Sequence, residues 1–235
     1  MSESYRKWLQ EKIVKLQAID CYSAGATPET VAEQAGIPQS EVIKLNFNET
    51  VFIPKAKLAG LIKEVADEID LRLYPEDEEV KLREKLTGYM KVPKDYLAVG
   101  NASDELIDRI VRLFVEKGDS VVSFSPTFAI PRLCVKRQEG EWTTVPLLSN
   151  LQLDVKSLLS WFSDKTRLLY LCSPNNPTAK LRSRNQLKAL AERCRTHKTL
   201  LYVDEAFIDL SDPAAPILVS TFDDTVWGFD VSVSE

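Results

Sequence analysis

Apolar positions change period along this chain, and the elements can be read from those changes. In "SYRKWLQEKIVKLQAI", Tyr5, Trp8, Leu9, Ile13 and Leu16 fall at helical spacing, which predicts a helix with one apolar face. In "TPETVAEQAGIPQSEVIKL", Thr27-Pro28 opens a short helix, Gly36-Ile37-Pro38 stops it, and a second short segment follows. "PKAKLAGLIKEVADEIDLRLYP" is helical to about Asp70, and "DEEVKLREKLTGYMKVP" is helical again. Beyond that point short apolar runs alternate with helical stretches. "YLAVG" precedes "SDELIDRIVRLFVEKG", and "DSVVSFS" precedes "PTFAIPRLCVKRQ". "WTTVPL", "TRLLYLCSP" and "TLLYVDEAF" read as strands, with "DVKSLLSWFSD" and "SRNQLKALAERCRTHK" as the helices between them. The last stretch, "DDTVWGFDVSVSE", reads as one more strand.

Strands separated by helices are joined by crossovers, so the expected fold is α/β: a mostly parallel sheet with helices on both faces. Residues 1–45 read as an N-terminal helical segment and 46–235 as one large domain. The chain carries no internal repeat and no low-complexity tract.

Composition narrows the function classes. With 235 residues, 44% of them hydrophobic, the chain can bury about 70% of its unfolded surface and needs no disulfides. A net charge of −5 argues against a general nucleic-acid binder, which needs a basic face for phosphates. Cys21, Cys134, Cys172 and Cys194 are scattered, with no CxxC pair and one histidine in the whole chain. They read as reduced thiols, and a zinc site is not expected. The start, "MSESYRKWLQEKI", lacks the apolar run of a signal peptide, and no stretch approaches the roughly 20 apolar residues of a membrane span. A cytoplasmic protein, bound to neither membrane nor nucleic acid, is the expectation.

In open α/β sheets ligands sit at the carboxyl ends of strands, and three such ends carry polar residues here. In "VGNASDELI" Gly100 allows a sharp turn, and Ser103-Asp104 open a helix whose free N–H groups and dipole suit a phosphate. Alone, this stretch is better read as a helix merely capped by Ser103 or Asp104. "LCSPNNPTAK" sets two asparagines between prolines, a turn whose amide can aim a donor at a ligand oxygen, and is also plain turn chemistry. In "TLLYVDEAFIDLSD", Asp204 ends a buried strand, where a carboxylate loses hydration and needs a cation. A salt bridge would serve; so would the protonated ring nitrogen of a bound cofactor. In chain order the three describe a pocket for a flat, phosphorylated, nitrogen-containing ring.

The motifs "YP…VGNASDELID…SPTF…CSPNNPT…VDEAFID" resemble the fold-type I pyridoxal-phosphate (PLP) enzymes, aminotransferase classes I and II, and within them the histidinol-phosphate aminotransferase branch. The likeness runs from about Ile43 to Ile208, with a thinner echo back to "GIPQSEVIKLNFNET". It implies that Ala102, Ser103 and Asp104 hold the cofactor phosphate, that Asn176 donates to the ring oxygen O3′, and that Asp204 pairs with the pyridinium nitrogen. It implies that Tyr74 reaches the phosphate of the neighbouring subunit, hence a homodimer. Its substrates would be a phosphorylated amino compound and a 2-oxo acid, 2-oxoglutarate, in histidine biosynthesis.

The chain departs from the family pattern at several positions. Ala102 and Ala179 stand where the family has glycine; at Ala102 the change is tolerable if that backbone angle is negative. An aromatic that stacks on the cofactor falls at Pro131, and Phe207 replaces a tyrosine hydroxyl. Related threonine-phosphate decarboxylases also have "DEAFID", which leaves the reaction branch open. The Schiff-base lysine, expected in a serine-lysine motif after the next strand, is absent, and neither Lys180 nor Lys198 is assigned that role. The expectation is therefore a large domain truncated at the C-terminus, with catalytic turnover and cofactor affinity weak or lost.

Two other classes compete: a non-catalytic remnant with a partner surface, and a helix-turn-helix DNA-binding protein. For the latter, Ala32, Gly36 and Val42 have the spacing of such a core, but "QSEVIKLN" offers one lysine for phosphates. A helix pair packed on the large domain is preferred. His197 reads as a helix-end residue, and Trp8, Trp142, Trp161 and Trp227 as packing.

Overall fold

Five parallel strands form one sheet in the computed structural model, which describes residues 2–19, 22, 25–49, 52–70, 72–74, 78–211 and 229–230. They are β1 (Ser120–Ser125), β2 (Glu141–Pro146), β3 (Thr166–Cys172), β4 (Leu200–Asp204) and β5 (Phe229–Asp230), in the order β2-β1-β3-β4-β5. The described helices are α1 (Glu3–Gln17), α2 (Pro28–Ala35), α3 (Lys55–Glu68), α4 (Glu78–Met90), α5 (Ala102–Phe114), α6 (Ile130–Arg137), α7 (Val155–Leu159) and α8 (Arg184–Thr196). None of them is long and apolar enough to cross a membrane. The chain divides into two compact units, one from Met1–Cys21 and Val80–Val233, the other from Tyr22–Glu79.

The first unit carries the sheet. Its central strands are buried on both faces, which is why they read as nearly continuous apolar runs. Period-two alternation sorts their side chains into two cores. Val122, Phe124, Leu169, Leu171, Leu201 and Val203 pack with Leu158 of α7 and Leu187, Leu190 and Cys194 of α8. Val121, Leu168, Tyr170, Cys172 and Tyr202 pack with Ile107 and Val111 of α5 and Cys134 and Val135 of α6. Each fully buried side chain of this size contributes about 1.5–3 kcal/mol. The thiols of Cys134 and Cys194 are free, and burial pushes them up to about 11 and about 12, so they behave as core residues.

Local signals match the element ends. Ser183 and Gln186 close a capping box at the start of α8. Thr27 caps α2, Pro28 stands at its first position, and Gly36 ends it with φ +66°.

Four sequence expectations change. "YLAVG" is not a strand: Lys94–Tyr96 is a 3₁₀ turn, and the Val99 carbonyl accepts from Arg109 Nη1 at 3.3 Å instead of from a neighbouring strand. The helix expected from "PTFAIPRLCVKRQ" begins only at Ile130, and that from "DVKSLLSWFSD" ends at Leu159. After α2 the second helix-turn-helix segment is only a three-residue 3₁₀ turn, Gln39–Glu41, too short to lie along a groove. Of the final strand, Phe229–Asp230 is described and pairs with Val203–Asp204; the rest of "DDTVWGFDVSVSE" lies outside the described residues.

Candidate functional site

Alternation along β4 decides the site. Leu201 and Val203 face the α7/α8 core, so Tyr202 and Asp204 face the α5/α6 side. Asp204 ends the strand with 2% of its surface exposed. Its Oδ2 accepts the Tyr170 hydroxyl at 2.5 Å and its Oδ1 accepts the Ala206 N–H at 3.1 Å. Burial pushes the Asp204 carboxyl above its ordinary range; the two hydrogen bonds pull it back, and the Asp104 charge adds to the upward push. Tyr170 comes from β3 and is itself 1% exposed. Burial first, then the charge of Asp204, pushes its phenol well above the ordinary value, so it stays protonated and donates.

The turn into α5 supplies the second part. A Cβ on Gly100 would lie 2.8 Å from Leu106 Cδ2, so any larger residue there would force the Leu106 side chain to shift. Asn101 makes no side-chain cap bond, unlike Thr27, Asp154 and Ser183 at the starts of α2, α7 and α8. The first-turn N–H groups of α5 therefore lack that side-chain partner. The Asn101 N–H itself goes to Glu105, which also holds Arg109 at 2.5 Å. Asp104, in the first turn, is pushed above its ordinary value by desolvation.

The third part is the loop after β3. Ser173 N–H donates to the Asp204 carbonyl at 2.8 Å, tying the loop to the strand end. Asn175 is buried and clamps two loops: its Nδ2 donates to Pro126 O at 3.1 Å and to Thr178 Oγ1 at 2.8 Å, and its Oδ1 accepts from Thr127 Oγ1 at 2.9 Å. Asn176 is half-buried, and its N–H meets the sulfur of Cys172 at 3.4 Å. Cys172 is in register with Asp204. The asparagine pair thus divides: Asn175 holds the loop, Asn176 keeps its amide available.

Asp104 lies near enough to Asp204 for its charge to act there. Asn176 belongs to the loop that leaves β3 at the end where Cys172 pairs with Asp204, and Ser103 adjoins Asp104 at the helix start. Tyr74 belongs to the other unit and is 92% exposed. Lys180 sits in the same edge loop as Asn176, where its carbonyl accepts the Asn175 N–H at 3.0 Å, whereas Lys198 lies between α8 and β4, at the opposite end of that strand. Sequence reasoning missed Tyr170 and Asn175. The signal for Asn175 was its place between two prolines; Tyr170 needed the strand register.

Residues 40–232 match the family Aminotransferase class I and II. The chain belongs to that family.

Among curated relatives, the histidinol-phosphate aminotransferase of Methanosarcina barkeri is 31% identical over 220 residues, covering 92% of this chain and 59% of that protein. That of Geobacillus thermodenitrificans is 32% identical over 198 residues, covering 83% and 52%. The chain thus spans between half and three fifths of these relatives' length. Among solved structures, histidinol-phosphate aminotransferase from Sinorhizobium meliloti in complex with pyridoxal-5′-phosphate superimposes with a TM-score of 0.75 at 24% identity, over 92% of this chain and 57% of that one. Cystalysin from Treponema denticola, which contains a pyridoxal 5′-phosphate cofactor, gives 0.70 at 19% identity over 87% and 56%. At these identities the likeness is one of fold.

Against the aminotransferase pattern, Ala102 and Ala179 have φ of +63° and +54°. Both have the left-handed backbone that glycine allows, so the condition for tolerance at Ala102 fails. Each is strained by about 1–2 kcal/mol. Pro131 is buried in the first turn of α6, and Phe207 is half-buried beside the strand end.

Proposed function

We propose that this chain forms the cofactor-holding part of a PLP-dependent aminotransferase of the histidinol-phosphate type, moving an amino group between a phosphorylated amino compound and 2-oxoglutarate. The observation that carries the reading is Asp204. A buried carboxylate has about four acceptor positions, and among the described residues Tyr170 and Ala206 use two of them. The remaining ones call for a cationic N–H from a ligand, and a protonated pyridine nitrogen is the right size and charge.

PLP supplies an electron sink for charge that develops on the substrate carbon. The chain's own residues bind and orient it. Asp204 keeps the ring nitrogen protonated, Asn176 donates to the ring oxygen, and the open first turn of α5 at Ala102, Ser103 and Asp104 receives the phosphate. Tyr74 reaches the phosphate bound by a second copy in a homodimer. The Asn175 clamp keeps the Asn176 loop in place against β3.

The substrate class rests on the names of the relatives and is tested by thermal unfolding with PLP present. Histidinol phosphate is expected to raise the melting temperature in a saturable way while unphosphorylated histidinol does not. Equal responses to the two would remove the histidinol-phosphate assignment.

A further inference from the structure

Asp204 carries its role only while it is ionised, and it is buried at the end of a strand. What keeps it ionised is on the adjacent strand. Tyr170 pairs with Tyr202 and Cys172 with Asp204 in the β3–β4 ladder, so Tyr170 shares the α5/α6 face and lies one pleat back from the acid. A tyrosine is long enough to reach along the strands from there, and its hydroxyl meets Oδ2 at 2.5 Å.

The ring is fixed. It stacks on Tyr202 with centroids 5.7 Å apart and an interplanar angle of 18°, and it meets Trp142 of β2 at 6.1 Å. The donor direction is fixed as well, because an acidic neighbour and deep burial hold the phenol proton in place. With Ala206 N–H on Oδ1 and Tyr170 O–H on Oδ2, both carboxylate oxygens are pinned. The plane of the carboxylate is therefore set before any ligand arrives.

We infer that Tyr170 is a positioning residue for the cofactor: its hydroxyl holds Asp204 anionic and aims it at the ring nitrogen. This rests on the PLP reading for its purpose, but the hydrogen bond acts in the empty protein too. The other groups facing Asp204 do not substitute for it. The Cys172 thiol is pushed up strongly by burial and gives its proton to Pro174 O at 3.2 Å. Asp104 of α5 acts in the opposite sense, favouring the protonated acid. Tyr202 of β4 supports the Tyr170 ring. The Ala206 N–H occupies the other oxygen.

The test uses the whole chain with ¹³C-labelled aspartate carboxyls, the Asp204 signal being assigned by its loss in Asp204→Asn. Tyr170→Phe keeps the ring and removes the donor. Its proton affinity at Asp204 should rise about tenfold or more, the size expected for a lost hydrogen bond to a charge. 3-Fluorotyrosine at Tyr170, a stronger donor of the same shape, should lower that affinity below the wild-type level, and this arm stands if the phenylalanine variant does not fold. PLP titrated into the same proteins should bind more weakly to Tyr170→Phe, with the pH profile of binding displaced upward by the same factor. An Asp204 titration unchanged by both substitutions would overturn the inference. Absence of PLP binding to the wild-type chain, with the Asp204 titration shifted as expected, would overturn the cofactor reading and leave the hydrogen-bond role intact.

Discussion

Asp104, at the start of α5, raises the proton affinity of Asp204, at the end of β4. Two acids from distant parts of the sequence are thus held at one sheet edge, and desolvation pushes each above its ordinary value. The arrangement disfavours the empty, ionised site and favours a ligand that brings positive charge to Asp204.

The first prediction is a pH dependence of stability. A carboxyl whose folded value lies above its unfolded 3.8 binds more protons in the folded state. Its contribution is therefore most favourable below 3.8 and is lost as pH rises through the folded value. Asp204→Asn removes a buried charge while leaving Tyr170 an acceptor. At neutral pH it should melt higher, by about 2–4 °C for each kcal/mol regained. The gap to wild type should close as pH falls towards the unfolded value. A variant that melts lower at neutral pH would contradict the assigned burial cost.

The second concerns the two left-handed alanines. Ala102→Gly and Ala179→Gly each relieve about 1–2 kcal/mol of backbone strain and each restore about 0.4–1 kcal/mol of unfolded-chain entropy. The net expectation is a gain of up to about 1.5 kcal/mol apiece. Urea unfolding should show higher midpoints with unchanged slopes. A fall in either midpoint would show that the left-handed angle is not what limits that position.

The third concerns Arg182. It is 2% exposed, its guanidinium lies 5.0 Å from the Phe124 ring centroid, and Nε, Nη1 and Nη2 have no hydrogen-bond partner among the described residues. Burial lowers its proton affinity. Its main-chain N–H to Ser173 Oγ at 2.9 Å is independent of the side chain. Arg182→Met should therefore stabilise the chain at neutral pH by about 1–4 kcal/mol. A loss of stability would mean that the guanidinium finds a partner in solution.

The sheet was legible because its strands are buried on both faces, and a strand such as "LLYVD" has no other use for its apolar run. The expected strand that does not form, "YLAVG", shows the limit: its residues suit a strand, but the Val99 carbonyl goes to Arg109, and pairing depends on neighbours that a sequence window does not contain. Asp204 and the α5 turn were legible from a charge after an apolar run and a glycine before a helix. Tyr170 was hidden because its link to Asp204 depends on the register of two parallel strands. The sign of φ at Ala102 was hidden because alanine gives no warning of a left-handed turn, and only the family glycine pointed to it.

The central claim, that Asp204 anchors a PLP ring, is tested most directly by titrating PLP into the wild-type chain and into Asp204→Ala, followed by the cofactor's visible absorbance. The account predicts saturable binding with a displaced absorbance band in wild type, and binding at least about tenfold weaker in the variant, as expected for loss of a charged hydrogen bond. Equal affinity and equal spectra in the two proteins would contradict it.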